Sequence, residues 1–162
     1  MIDIGVGSGR MLHLFADRVR RAEGIDTSRQ MLAIARSSIA PLAGRASVRY
    51  GDAYAPPAEP EAADLVTIHQ VLHFLADPAR AIAEAARLLK PGGRLVIADF
   101  APHKLEFLRA EHAHRRLGFS DPEIEGWAGA AGVAKFQVTT LASKKPGALT
   151  VKIWAGDKEK TS

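Results

Sequence analysis

Residues 1–10 read MIDIGVGSGR, and the fold turns on this stretch. A short apolar run carrying one acid, Asp3, ends in glycines at Gly5, Gly7 and Gly9. Such a run predicts a buried parallel strand that bends sharply into a helix, the place where doubly wound α/β domains hold a nucleotide. The glycines let a ligand approach the main chain closely. The helix that follows, from about Ser8, aims free N–H groups at a polar or anionic group. The spacing separates two kinds of nucleotide. A dinucleotide fingerprint, G-x-G-x-x-G/A, puts its third small residue where Arg10 stands. Here the third glycine comes one residue earlier, and an acid precedes the first glycine by two.

Outward from that turn the chain alternates. Ser8 to about Val19 carries Met11, Leu12, Phe15 and Val19 at helical spacing. Ala22 to Asp26 reads as a second strand. Thr27 or Ser28 caps a helix with Met31, Leu32, Ile34 and Ala35 on its apolar face, ended by Pro41 and Gly44. Ser47 to Tyr50 is a third strand, closed by Gly51-Asp52. Ala55 to Glu61 is a surface loop. Asp64 to His69 reads as a fourth strand, apolar throughout and buried on both faces. Asp77 and Pro78 suit the N-cap and first position of a helix running through Ile82, Ala85, Ala86 and Leu89. Lys90-Pro91-Gly92-Gly93 stops it and turns the chain into a fifth strand, Arg94 to Phe100. Lys104 to Arg116 and Ser120 to Gly132 read as helices, the second with Ser120 and Glu123 as a capping box. Phe136 to Leu141 and Leu149 to Trp154 are strands joined through Lys144-Lys145-Pro146-Gly147, a hairpin signal. Gly156 to Ser162 should fray. Repeated strand–helix alternation followed by a hairpin predicts an α/β fold: a doubly wound, mostly parallel sheet with an antiparallel addition at its end.

Composition excludes several classes. At 162 residues, 47% hydrophobic and 25% charged, the chain is one globular domain with a real core. It has no Cys, so disulfides and thiolate metal sites are out of reach. No apolar run approaches the ~20 residues of a membrane span, and no signal peptide is visible, so a cytoplasmic protein is expected. The net charge of +4 is spread over small basic groups, and aromatics are only 6%. A nucleic-acid groove calls for a longer basic stripe interleaved with aromatics.

Acids and histidines recur where the strands end. Asp26 ends the second strand about 20 residues past the glycines, where an acid can take both ribose hydroxyls. The same residue can merely cap the following helix. Asp52 ends the third strand, as a ligand group or as a surface-turn residue. His69 stands just past the fourth strand, and His73 falls one helical turn later, on a helix surface or in a site. His103 follows the fifth strand; His112 and His114 fall in a later helix that can close over a substrate. Two residues apart, the last pair do not share a helical face and are not a metal pair.

The pattern Asp3-x-Gly5-x-Gly7-x-Gly9 resembles motif I of the class I S-adenosylmethionine-dependent methyltransferases, and Leu88-Leu89-Lys90-Pro91-Gly92-Gly93 resembles their signature before the fifth strand. Within that class, Asp99-Phe100-Ala101-Pro102-His103, followed by Glu111-His112-Ala113-His114-Arg115-Arg116-Leu117-Gly118-Phe119, resembles the methyltransferase domain fused behind ArsR-type regulators. It is more distantly similar to the ubiquinone and menaquinone biosynthesis methyltransferases.

The resemblance implies a seven-stranded Rossmann-like sheet, S-adenosylmethionine as cofactor, S-adenosylhomocysteine as product and a small-molecule methyl acceptor. It implies that residues 1–162 are the cofactor-binding domain without the helices that precede the first strand in family members; the open flank favours self-association. It puts Asp3, Gly5, Gly7, Ser8 and Gly9 around the methionine part of the cofactor, with Asp3 at its amino group. Asp26 goes to the ribose, Thr27 and Met31 lie against the adenine, and Asp52 with Ala53 meets the adenine's exocyclic amine. His69 lies beside the methionine end and faces the substrate. An oxygen or nitrogen acceptor that needs a base would find one in His69 or His103. One alternative is a cofactor-sensing or structural domain with little catalysis, part of a regulator whose DNA-binding portion lies outside this chain. Another is a nicotinamide-dependent oxidoreductase, which Arg10 and the Asp3 pattern count against.

Overall fold

The computed structural model describes residues 1–42, 44–143 and 147–160. The opening run forms β1 (Ile2–Ile4), buried at every position. It pairs in parallel with β2 (Ala22–Asp26) on one side and β4 (Ala63–His69) on the other. β3 (Ala46–Tyr50) lies outside β2, and β5 (Leu89–Phe100) lies beside β4, both in parallel. β6 (Val133–Leu141) and β7 (Val151–Lys158) are antiparallel, and β7 inserts between β5 and β6. The sheet therefore has seven strands in the order β3-β2-β1-β4-β5-β7-β6. Strand order reverses between β1 and β4, and in open α/β sheets that switch point opens a crevice at the strands' carboxyl ends.

The helices are α1 (Arg10–Phe15), α2 (Arg29–Ile39), α3 (Pro78–Leu88), α4 (Phe107–Glu111) and α5 (Asp121–Ala130). They bury apolar stripes in two clusters, as a doubly wound sheet requires. One joins Ile4, Ile68 and Ile97 of the sheet to Ala81, Ile82 and Ala85 of α3 and to Ile124 of α5. The other joins Val6, Leu12 of α1, and Leu32 and Ile39 of α2. Ile34, expected on the inner stripe of α2, is exposed; Ile39 takes its place. The caps follow the sequence. Ser28, not Thr27, accepts from Met31 N at 3.2 Å, Asp77 accepts from Arg80 N at 3.1 Å, and Ser120 with Glu123 forms the capping box of α5. No helix among the described residues is long and apolar enough to cross a membrane.

Several boundaries differ from the sequence reading, each for a local reason. α1 stops at Phe15, and Ala16–Val19 continue as a turn in which Val19 N donates to Phe15 O at 3.1 Å. Lys90-Pro91-Gly92-Gly93 does not precede the fifth strand but is taken up within β5. The register steps from Ala63↔Leu89 to Leu65↔Arg94, so these residues bulge opposite Asp64. The helix expected over Lys104–Arg116 is only α4. Ala113 adopts a left-handed φ of +55°, and the chain beyond it is tied to the carbonyl of His73. The fourth strand is not apolar throughout: Thr67 is polar and buried within it. Gly156 does not fray, because β7 runs to Lys158 and Asp157 pairs with Arg94 at 2.8 Å. Lys144, Lys145 and Pro146 of the expected hairpin, and Thr161 and Ser162 of the expected frayed end, lie outside the described residues.

Candidate cofactor and acceptor site

A cavity of about 730 Å³ lies where β1, β2, β3 and β4 end. That is an ordinary size for a small-molecule site. Asp3, Gly5, Gly7, Ser8, Asp26, Thr27, Asp52, Ala53 and His69 all line it. Gly9, Met31 and His103 do not. Gly9 serves packing: a Cβ there would stand 3.2 Å from Ile39 Cγ2, so the glycine lets α1 and α2 approach. Met31 sits beside the turn, its Cε 3.7 Å from where a Cβ on Gly7 would be.

The glycine turn is clamped. Gly5 N and Val6 N both donate to Ile25 O, at 2.8 and 3.0 Å. Gly7 N donates to Asp26 Oδ2 at 2.9 Å, and Ser28 N donates to Asp26 Oδ1 at 2.8 Å. Asp26 thus joins the first turn to the start of α2 while facing the cavity; the structural and ligand-facing roles coincide in one carboxylate. Asp52 is exposed, and its Oδ1 accepts from Tyr54 N at 2.9 Å in a local turn. Both acids open onto the same cavity as the glycines.

Asp3 is only 1% exposed, and Thr67 Oγ1 donates to its Oδ1 at 2.6 Å. Burial pushes its carboxyl up to about 7, with the charge on Asp26 adding to the rise and the Thr67 hydroxyl opposing it. The sequence reading missed Thr67. The signal was a polar residue in a buried strand, in direct register with Asp3.

His69 is half-buried, and burial together with the nearby Arg10 holds its imidazole below the ordinary value, against the pull of Asp99. It is held neutral and able to accept a proton. Gln70 beside it has a left-handed φ of +55°, with its N–H donated to Ala98 O at 2.7 Å. A non-glycine residue held there stores backbone strain, which folded proteins concentrate at working sites.

His73 is neither on a helix surface nor exposed. It lies in a 3-10 turn, Leu72–Phe74, 2% exposed, with Nδ1 2.8 Å from Oδ1 of the fully buried Asp99. The His114 ring lies 4.2 Å from the His73 ring, and Phe100 stacks on His114 with centroids 5.8 Å apart. His114 Nδ1 and His103 Nε2 are buried with no hydrogen-bond partner among the described residues. Burial and the neighbouring His73 hold both imidazoles below the ordinary 6.5, with Asp99 opposing.

These depressions carry a pH dependence. Where the unfolded chain binds protons more tightly than the folded one, stability falls as pH falls. His69, His103 and His114 each contribute stability that is complete above the unfolded value and is lost as pH drops through it toward the folded values. Asp3 acts with the opposite sign over the same range and offsets part of the loss. Urea midpoints should therefore hold between pH 7.5 and 8.5 and decline below about 6.5. A midpoint that rises between pH 6.5 and 5 would contradict this account of the histidines.

Residues 2–97 match the family model described as a methyltransferase domain. The chain is 36% identical over 104 residues to the demethylmenaquinone methyltransferase of Thermus thermophilus, covering 63% of this chain and 47% of that protein. It is 30% identical over 149 residues to the ubiquinone biosynthesis O-methyltransferase of Stutzerimonas stutzeri, covering 83% and 64%. In fold it is similar to the crystal structure of the YcgJ protein from Bacillus subtilis, with a TM-score of 0.82 at 20% identity, covering 99% of this chain and 92% of that one. The chain spans 29% to 64% of the length of the curated relatives it matches.

Proposed function

The chain belongs to the class I S-adenosylmethionine-dependent methyltransferases, and from that premise we propose that it transfers a methyl group to a small-molecule acceptor within the cavity at the strand ends. The observation that carries this reading is the opening of Asp26, Asp52 and the glycine turn onto one cavity. The residues present suit such a cofactor: Gly7 has a φ of +52° and only Met31 Cε, at 3.7 Å, near where a Cβ would stand, and it lines the cavity with Gly5, Ser8 and Asp26.

In this reading Gly5, Gly7 and Ser8 hold the methionine part of the cofactor against the turn, and Asp3 receives its ammonium. Asp26 turns its remaining lone pairs to the ribose hydroxyls, with Thr27 alongside. Asp52 and Ala53 meet the adenine edge. When bound, S-adenosylmethionine supplies a methyl whose bond to sulfur breaks as its bond to the acceptor forms, leaving S-adenosylhomocysteine. The chain's own part is alignment, exclusion of water and removal of one proton. His69, neutral and on the cavity wall, takes that proton from an acceptor O–H or N–H. His103 lies off the cavity, its ring edge-on to Phe100.

Calorimetric titration with S-adenosylhomocysteine, set beside NAD⁺, tests the reading. Wild-type protein should bind the first and not the second, and Asp26→Ala should weaken that binding roughly tenfold or more, the equivalent of about 1.4 kcal/mol. Binding of NAD⁺ alone would sink the proposal.

A further inference from the structure

The charged groups around the cavity are engaged unevenly. Its acids are all engaged: Asp3 accepts from Thr67, Asp26 from Gly7 and Ser28, and Asp52 from Tyr54. Its cations are not. Arg10 and Arg115 line the same cavity, and neither guanidinium has an ion pair or hydrogen bond among the described residues. The proposed cofactor brings one carboxylate. Arg10, the first residue of α1, directly follows the glycine turn that the proposed reading gives to the cofactor, so it is assigned to the cofactor's carboxylate. Arg115 is left over.

Arg115 is also held in place. Its N–H donates to His73 O at 2.8 Å, the Arg116 N–H donates to the same oxygen at 3.1 Å, and its carbonyl accepts from Arg109 Nη1 at 2.7 Å. His73 is fixed in turn by the buried Asp99, and His114, immediately before Arg115, packs on the His73 and Phe100 rings. These bonds fix the backbone of Arg115 and leave its exposed side chain on the cavity wall. The buried Asp99–His73 pair, which the proposed chemistry does not use, thereby acquires a role: it positions the arginine-bearing segment. Val71, Phe74 and Leu75 supply an apolar wall to the same cavity.

We propose that Arg115 anchors the methyl acceptor, and that the acceptor is a small carboxylic acid with a flat apolar body. The carboxylate pairs with the guanidinium, whose planar fork suits it, and the body lies along Phe74. This rests on the methyltransferase reading.

The test uses wild-type protein saturated with S-adenosylhomocysteine, titrated calorimetrically with matched acids and amides: benzoate and benzamide, 4-hydroxybenzoate and 4-hydroxybenzamide, 3,4-dihydroxybenzoate and its amide. The acids should bind, and the amides should be weaker by roughly tenfold or more. Arg115→Gln should lose that preference while keeping its affinity for S-adenosylhomocysteine, and Arg115→Lys should recover part of it. Acids that do not bind, acids and amides that bind alike, or an Arg115→Gln protein that still prefers the acids each overturn the assignment. Failure of the wild type to bind S-adenosylhomocysteine would instead overturn the methyltransferase reading, and this inference with it.

Discussion

Gly5→Val should lower the affinity for S-adenosylhomocysteine by about a hundredfold or more, equivalent to roughly 2.7 kcal/mol. Gly5 has a φ of +75°, and a Cβ built on it would stand 2.2 Å from Val71 Cγ2 and 3.1 Å from Cγ1. The left-handed backbone alone costs a residue with a Cβ about 1–2 kcal/mol. Overpacking adds about 1–3 kcal/mol more. The turn cannot slide away cheaply, because Gly5 N and Val6 N are both donated to Ile25 O. The strain falls instead on Val71, which lines the cavity and leads into the 3-10 turn carrying His73. Both the proposed cofactor cradle and the proposed acceptor wall are displaced. Gly7→Ala is the control. Its φ is also positive, but its Cβ would meet only Met31 Cε, at 3.7 Å, so its loss should be distinctly smaller. Calorimetry with circular dichroism as the folding check separates the two variants. A Gly5→Val protein that folds and binds like wild type would remove the turn from the site.

The part of this cavity formed by the glycine turn and the strand-end acids was legible in the sequence because it is built from short-range rules. A buried strand, three glycines and an acid fix the first turn, and the next two acids follow at the ends of the next two strands. Each is a local signal, and the strand order gathers them without further instruction. The buried polar pairings around the cavity were not legible, for a physical reason. Thr67 meets Asp3 across 64 positions, and His73 meets Asp99 across 26. Neither pairing leaves a periodic trace. From sequence His73 reads either as a helix-surface residue or as part of a site. Its segment forms a single 3-10 turn, which sends the ring inward. Gly9 shows the converse limit. It satisfied the glycine pattern, yet its close neighbours are Ile39 and Ala35 of α2, so it serves helix packing and does not line the cavity. Helix ends were misplaced where a left-handed residue such as Ala113 breaks a run of otherwise good helix formers.

Asp3→Asn should make the protein more stable at pH 8 and a worse binder at every pH. Burial raises the Asp3 carboxyl from its ordinary 3.8 to about 7, so at pH 8 the folded protein carries a buried negative charge with one hydroxyl for company. A displacement of that size corresponds to on the order of 4 kcal/mol of penalty. Because the folded value lies above the unfolded one, the penalty is complete above the folded value and fades as pH falls toward the unfolded one. The amide still accepts the Thr67 hydroxyl and carries no charge. Urea midpoints should therefore favour Asp3→Asn at pH 8 and converge with wild type near pH 4. In the proposed complex the cofactor's ammonium would offset that buried charge. Binding of that ammonium draws the carboxyl back down and expels its proton. Wild-type protein near pH 6.5 should thus release a fraction of a proton on binding S-adenosylhomocysteine, read as a calorimetric enthalpy that changes with the ionisation heat of the buffer. Asp3→Asn should bind roughly tenfold or more weakly, in line with the loss of one charge-assisted contact, and should show no buffer dependence from this group. An Asp3→Asn protein less stable than wild type at pH 8, or a wild type whose binding enthalpy ignores the buffer, would mean that Asp3 only braces the strand against Thr67 and meets no ligand.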